Sequence, residues 1–448
     1  MPQELTQLDT HKRFTRIVLI LFLLLAAVWS YYACRWYIGN TLAEYFNSGD
    51  NNLDLARAAQ RLAPGDPLTN WRLAQVSQKS LPLDQAAASL VDYEKAVALA
   101  PGDYRFWVTL GTAREQTGDA AGAEQAFRQA VSLAPAYAYP HWNLGNVLIR
   151  NGRYDEAFAE LRSAATAAPE ELRPQMFNLI LQVYGNDFES IKKAVGDNSE
   201  TRATFALYLL DQRKIDEGLA IWNSLSVAEK KANKEAGLQF ITALVRIPRF
   251  HDALSAWNDL ESTPGDRAEM NKITDGSFEE IISYRPETIF GWQVKNPPQV
   301  QIGIDPNVSH SGSRSLRLVF QVRSQLDAML TSQLVPVEKD TTYDFECYVK
   351  TAKLQTGGPP VVQIIDANSG ALIAASDGAP AGDSDWSKIG LTFKTSEKTE
   401  AITLKIVRAP CGDANADANT DANANANAAI CPIFGTVWYD DFNLNRRN

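Results

Sequence analysis

The sequence predicts a multidomain α plus β chain: a transmembrane helix, an α-solenoid of helical hairpins and a C-terminal β-sandwich of jelly-roll type. Three observations carry this reading. Residues 17–34 read IVLILFLLLAAVWSYYAC, eighteen positions without a charge. Pro64, Pro101, Pro135 and Pro169 recur at intervals of 37, 34 and 34 residues. Beyond residue 264, helical spacing of apolar residues gives way to alternation. The expected parts are a tail at 1–16, a span at 17–38, the solenoid at 41–264, a connector at 265–272 and the sandwich at 273–448.

About 20 apolar residues cross a bilayer as a helix, and 18 uncharged ones suffice for a candidate span. A cleaved signal peptide has a shorter apolar region, roughly 7–15 residues, that ends in small residues. Here the run ends among Trp29, Tyr31, Tyr32, Trp36 and Tyr37, which suit the membrane–water boundary. Cleavage remains the alternative. Lipid attachment at Cys34 is another, for which Tyr31 and Tyr32 are poor neighbours. His11, Lys12, Arg13 and Arg16 precede the run, and only Arg35 follows it closely. Basic residues stay on the cytoplasmic side. The expectation is a single-pass protein of a bacterial inner membrane, with residues 1–16 cytoplasmic and the bulk periplasmic.

The chain has 448 residues and a net charge of −10. An acidic balance argues against general nucleic-acid binding, which wants a basic surface. It suits a soluble exported body. Of the four cysteines, Cys34 lies in the span and Cys347 falls in an apolar strand pattern as a small core residue. Cys411 and Cys431 flank an Asn/Ala/Asp low-complexity insert at 412–430, expected to be disordered. A disulfide between them would close its base in an oxidising compartment. Two free thiols are the alternative. No CxxC or neighbouring histidine supports zinc.

Each of the four prolines closes a similar phrase: RLAPGDP, ALAPGDY, SLAPAYA, TAAPEEL. Upstream of Pro135 stand Trp107, Leu110, Gly111, Gly118, Ala123, Phe127 and Ala130. Shifted by 34 residues, Leu144, Gly145, Gly152, Ala157, Leu161 and Ala164 repeat them. This resembles the tetratricopeptide repeat family in period and signature. Gly111, Ala123, Gly145 and Ala157 are small where paired helices approach, and Leu110 and Phe127 fill the seam. Gly118 and Gly152 end first helices at positive φ. The prolines stop second helices. The unit before Pro101 carries extra residues near 79–83, and the one ending at Pro64 keeps mainly a helix at 53–63. A short helix at 41–47 is expected before it. IDEGLAIWNSL at 215–225 and FHDALSAWNDL at 250–260 match at a shift of 35. About six stacked hairpins with a concave groove follow. The resemblance implies a protein partner in that groove; a passive spacer is the alternative. His141 and His251 read as packing or surface residues.

Strands are expected at 315–322, 343–350, 361–365, 389–395, 401–407 and 437–444. Six pieces carry a second resemblance: DGSFEE at 275–280, GW at 291–292, HSGSRSLRL at 310–318, TTYDFECYVKT at 341–351, DWSKIGLTFKT at 385–395 and VWYDDFNL at 437–444. In this order they resemble carbohydrate-binding modules of families 4 and 9, a jelly-roll group related to galactose-binding-like domains. The resemblance implies that the first and last strands lie side by side. It also implies a structural calcium ion there, at Glu279, Asp440 and Asp441 with loop carbonyls near Ser311 and Gly312. Calcium takes such hard oxygen ligands. The alternative is a carboxylate cluster that is solvated or bonded to loop amides.

Alternation points Phe345, Cys347 and Val349 to the core and Glu346, Tyr348 and Lys350 away from it. Gln321, Gln363 and Lys405 point outward by the same rule. These six are the candidate glycan-binding face, with Tyr348 as the stacking ring. Trp292 and Trp386 read as structural. Asn307-Val-Ser309 is formally a glycosylation acceptor. No Ser-His-Asp grouping, phosphate loop or HExxH is present, so no enzyme is expected. The order anchor, repeat, module predicts a periplasmic scaffold that recruits a protein and binds a polysaccharide, as in cell-envelope polysaccharide assembly or secretion. A purely structural protein–protein subunit and an auxiliary glycoside hydrolase component are the alternatives.

Overall fold

The computed structural model describes residues 13–44, 52–80, 86–261, 267–280, 288–295, 300–321, 324–325, 330–409 and 430–447. Cys411, the insert and the side chain of Cys431 lie outside the described residues, as do residues 81–85 and 45–51. Residues 1–196 and 197–448 are two compact units.

The first unit runs α1 (Arg13–Glu44), α2 (Leu53–Leu62), α3 (Pro67–Ser80), α4 (Ala86–Leu99), α5 (Tyr104–Gln116), α6 (Ala120–Leu133), α7 (Ala138–Arg150), α8 (Tyr154–Ala167), α9 (Pro169–Tyr184) and α10 (Phe188–Val195). The small residues do what their spacing predicts. A Cβ at Gly111 would stand 2.6 Å from Cε1 of Phe127, and one at Gly145 would stand 2.6 Å from Cγ of Leu161. Ala123 and Ala157 are fully buried. Gly118 and Gly152 have φ of +85° and +72°, which side chains with a Cβ resist. Asp103 and Asp119 start α5 and α6 by accepting from the backbone N–H of Arg105 and Gly122. His141 is a packing residue, its ring nitrogens 2.6 Å from Glu160 and 2.9 Å from the Pro135 carbonyl.

Two expectations change. Pro169 does not follow α8 as a stop but opens α9, where its missing N–H would have no helical partner anyway. Of the expected separate helix at 41–47, residues 41–44 are instead the end of α1, unbroken to Glu44, and 45–47 lie outside the described residues. At 1.5 Å per residue its 32 residues reach about 48 Å, more than the ~30 Å hydrocarbon core. Nothing in 38–41 breaks a helix, and Gly39 serves packing: a Cβ there would meet Cβ of Ala63 at 2.8 Å and the Ala59 carbonyl at 2.9 Å. The last turns of α1 and α2 thus form the first hairpin of the stack. The apolar turns before them are long enough to cross a membrane and none of that stretch is buried.

The second unit begins with α11 (Ser199–Asp211), α12 (Ile215–Asn223), α13 (Val227–Ala232), α14 (Lys234–Arg246) and α15 (Phe250–Leu260). Trp222 stacks on Phe240 with centroids 4.8 Å apart. His251 sets Nε2 3.0 Å from the Val337 carbonyl of the sandwich, and Trp257 meets Phe290 edge-on at 6.1 Å. Residues 267–272 of the expected connector are held too. Ala268 is buried and bonded to Asn258, and Asn271 accepts from the Tyr343 hydroxyl and the Glu338 N–H.

The strands are β1 (Gln293–Val294), β2 (Val300–Asp305), β3 (Ser315–Gln321), β4 (Ser324–Gln325), β5 (Thr331–Pro336), β6 (Thr342–Thr356), β7 (Pro360–Asp366), β8 (Leu372–Ala375), β9 (Gly382–Lys394), β10 (Ala401–Arg408), β11 (Ile430–Cys431) and β12 (Ile433–Arg446). One five-stranded sheet has the order β1-β5-β10-β7-β8 and the other β2-β3-β12-β6-β9; β11 pairs with β4. All described pairings are antiparallel. All six expected strands are present. β5 was hidden because Thr331, Ser332 and Gln333 are buried in it. Gln333 is satisfied by exchanging hydrogen bonds with the backbone of Thr274. The core between the sheets takes Phe345, Cys347 and Val349, as alternation predicts, together with Val437, Tyr439 and Trp292. Burial pushes the Cys347 thiol up, so it stays protonated.

Replacing Gly111 by Ala is expected to destabilise the repeat by about 1–3 kcal/mol through overpacking against Phe127. Helical melting followed by circular dichroism should show a lower midpoint, and adding Phe127→Leu should recover most of it.

Candidate functional site

The outward side of the β2-β3-β12-β6-β9 sheet carries the candidate site. β12 is its central strand. Val437 and Tyr439 point into the core, so Phe434, Thr436 and Trp438 point out. Phe434 is 45% exposed. Trp438 is half-buried, and its indole N–H donates to Asp305 at 2.9 Å. Trp438 stands opposite Arg317 and Lys350, and Thr436 stands opposite Val319 and Ala352. Phe434 stands opposite Gln321 and Gln355.

Four of the six expected glycan residues share this face: Glu346, Tyr348, Lys350 and Gln321. Gln363 and Lys405 do not. They are register partners on β7 and β10 of the other sheet, and point outward from the opposite side of the sandwich. Alternation assigns a side chain to the outside but does not say of which sheet.

Tyr348 is not a free stacking ring. The His310 imidazole lies on it with centroids 3.6 Å apart and planes 14° from parallel. Trp386 meets His310 edge-on at 5.7 Å. Trp292 is in the core as expected, but Trp386 is on the outer face. Ile389, Leu391 and Phe393 pack inward from the same strand, which leaves the even positions outside. The charges on this face are paired. Lys350 reaches Asp385 at 2.7 Å and Arg317 reaches Asp305 at 3.5 Å. Lys388 pairs with Glu346. These bonds hold the Lys388 ammonium charged and lower the Asp385 carboxyl.

The expected calcium residues meet one loop, 310–314, from two sides. Glu279 accepts from the Ser313 N–H and hydroxyl, both at 2.7 Å, and from the Arg314 N–H at 3.1 Å. Asp440, fully buried, accepts from the N–H groups of His310 and Ser311 at 2.7 and 3.2 Å. Asp441 takes the His310 Nδ1 and the Ser311 hydroxyl at 2.6 Å each. Gly312 has φ of +58°, and a Cβ there would strike Glu279 at 2.2 Å. Residues 274–277 form a turn, which joins β12 through the Phe442 N–H and the Gly276 carbonyl, 2.8 Å apart. Among the described residues no three His, Cys, Asp or Glu side chains gather to hold a metal. The carboxylates are met by N–H and O–H donors, whose positive ends face where a cation would sit. This arrangement does not fit calcium.

Sequence reasoning missed Trp438, Phe434 and His310. Trp438 was readable: in VWYDDFNL the core residues flanking it place it outside. His310 was not, since Tyr348 is distant in sequence and the stack is made by folding.

The donors around Glu279 hold its carboxyl below the usual range, the Ser313 hydroxyl contributing most. A lowered native value gives stability that is present above the unfolded value, about 4.3, and is lost as pH falls through the native one. Burial pushes Asp440 the other way, so its share rises as pH falls. Glu279→Gln is therefore expected to make the acid-side loss of stability shallower, measured as melting midpoints across an acid pH series.

Residues 116–180 match the tetratricopeptide repeat family. A crystal structure of MamA is 18% identical over 32% of this chain and 84% of its own, with a TM-score of 0.28. The CBM22-1 xylan-binding domain of Paenibacillus barcinonensis Xyn10C is 15% identical over 40% of this chain and 96% of its own, with a TM-score of 0.25. A structure titled CBM4 structure and function is 12% identical over 39% of this chain and 99% of its own, with a TM-score of 0.28. No curated protein matches the chain.

Proposed function

We propose that this chain is a membrane-anchored, non-catalytic binding protein whose sandwich holds an uncharged polysaccharide on the outward face of β12. The observation that carries the reading is the row Phe434, Thr436, Trp438 on the central strand. Its aromatic ends are about 13 Å apart along the strand at ~3.3 Å per residue, with room for more than one sugar ring. Aromatic rings supply apolar contact for the C–H faces of sugars, and the surrounding amides and charged groups supply directed hydrogen bonds. The cations here are paired with carboxylates, which favours neutral hydroxyl-bearing ligands over uronates. Tetratricopeptide-type repeats point to a protein partner. We place α1 as an uncleaved anchor with residues 1–16 in the cytoplasm and the bulk in the periplasm. The setting that suits this layout is cell-envelope polysaccharide assembly or secretion.

The test is binding of the full-length protein, held in lipid nanodiscs, to a panel of neutral and uronate-bearing polysaccharides. Neutral binding should weaken at least tenfold in Trp438→Ala, about 1.4 kcal/mol. It should change little in Tyr348→Ala, whose ring is already covered. No binding by a well-folded protein would favour a purely structural role, and hydrolysis of any member would point to a glycoside hydrolase.

A further inference from the structure

α1 does not end where its apolar run ends, and that places two arginines together at the edge of the bilayer. Past Cys34 the helix continues through Arg35, Trp36 and Tyr37, the two aromatics 51% and 67% exposed. Gly39, about 7.5 Å beyond Cys34 at 1.5 Å per residue, packs on Ala59 of α2 and on Ala63, the residue that caps it. α2 packs against this end of α1. Its last turn comes level with Arg35, whose Nη2 donates to the Arg61 carbonyl at 2.8 Å. That bond also places a cation at the negative end of α2. Arg61 itself is exposed.

Neither arginine has a carboxylate partner among the described residues. Asp66, in the following turn, is buried and already accepts from the N–H groups of Leu68 and Thr69 and from the Asn40 amide. Arg57, one turn back along α2, differs in facing Asp54 at 3.6 Å. The headgroup layer adds about 5–7 Å to each side of the hydrocarbon core, and both guanidinium groups fall in it when residues 17–34 span. A guanidinium fork matches a phosphate in shape and charge.

We propose that Arg35 and Arg61 bind the phosphate of an anionic lipid headgroup and so seat the first repeat hairpin on the membrane surface. This rests on α1 being an uncleaved anchor. Arg61 lies 27 residues past the apolar run, beyond the ~15–20 residues whose charges bias insertion, so it serves the folded protein without opposing the expected orientation.

The experiment uses the full-length protein in nanodiscs of phosphatidylcholine, with or without phosphatidylglycerol. Native mass spectrometry counts the lipids retained. The wild type should retain phosphatidylglycerol in preference to phosphatidylcholine. Arg61→Gln, which leaves the Arg35 bond intact, should weaken retention about fivefold, and adding Arg35→Gln should weaken it about fivefold more. Arg57→Gln should behave as wild type. Equal retention of both lipids, or unchanged retention in the double variant, would overturn the proposal. Displacement by inorganic phosphate would assign the site to a free anion and overturn it too. Alkaline carbonate extraction of native membranes tests the anchor separately: release sinks the anchor reading, whereas a protein that stays without lipid preference sinks this proposal alone.

Discussion

Burial of Val437, Tyr439 and Leu444 against the facing sheet is the constraint on which the candidate site depends. A strand side chain has two directions, and the core takes one of them. Once those three are inside, Trp438, Thr436 and Phe434 stand outside on the strand that the sheet places at its centre. The neighbours of that row are not set locally. β12 pairs with β3 on one side and β6 on the other, so the face is assembled from segments far apart in sequence. The loop at 310–314 is fixed by the same strand through Asp440 and Asp441. Its histidine then covers Tyr348. Core burial thus decides both which aromatic is offered and which is withheld.

Close approach does the corresponding work in the helical unit. Gly111 against Phe127 and Gly145 against Leu161 leave no room for a side chain. Gly39 extends the same device to the long apolar helix α1. The consequence is mechanical: the segment long enough to span a bilayer and the first helix of the repeat stack are one rod. The first hairpin cannot swing freely about a linker, because there is none between Cys34 and Glu44.

The repeat was legible because its signals are local in pattern. Period, small residues and positive-φ glycines all sit within one hairpin. The sandwich was legible as a fold and in its core residues, since Phe345, Cys347 and Val349 declare their side by alternation. The site was half legible. Gln363 and Lys405 were correctly placed outside and wrongly joined to Tyr348, because period two carries no information about sheet membership. Trp386 was read as structural although Ile389, Leu391 and Phe393 already implied its direction. The end of α1 was hidden for a different reason. Aromatics mark where a membrane ends, not where a helix does.

Backbone amide exchange with and without the tightest-binding neutral polysaccharide tests the central claim most directly, because it separates the two faces of the sandwich. The account predicts added protection in 315–321, 342–356 and 433–446, the strands of the sheet centred on β12. Protection confined to 331–336, 360–366 and 401–408 would contradict it, by placing the glycan on the side of Gln363 and Lys405.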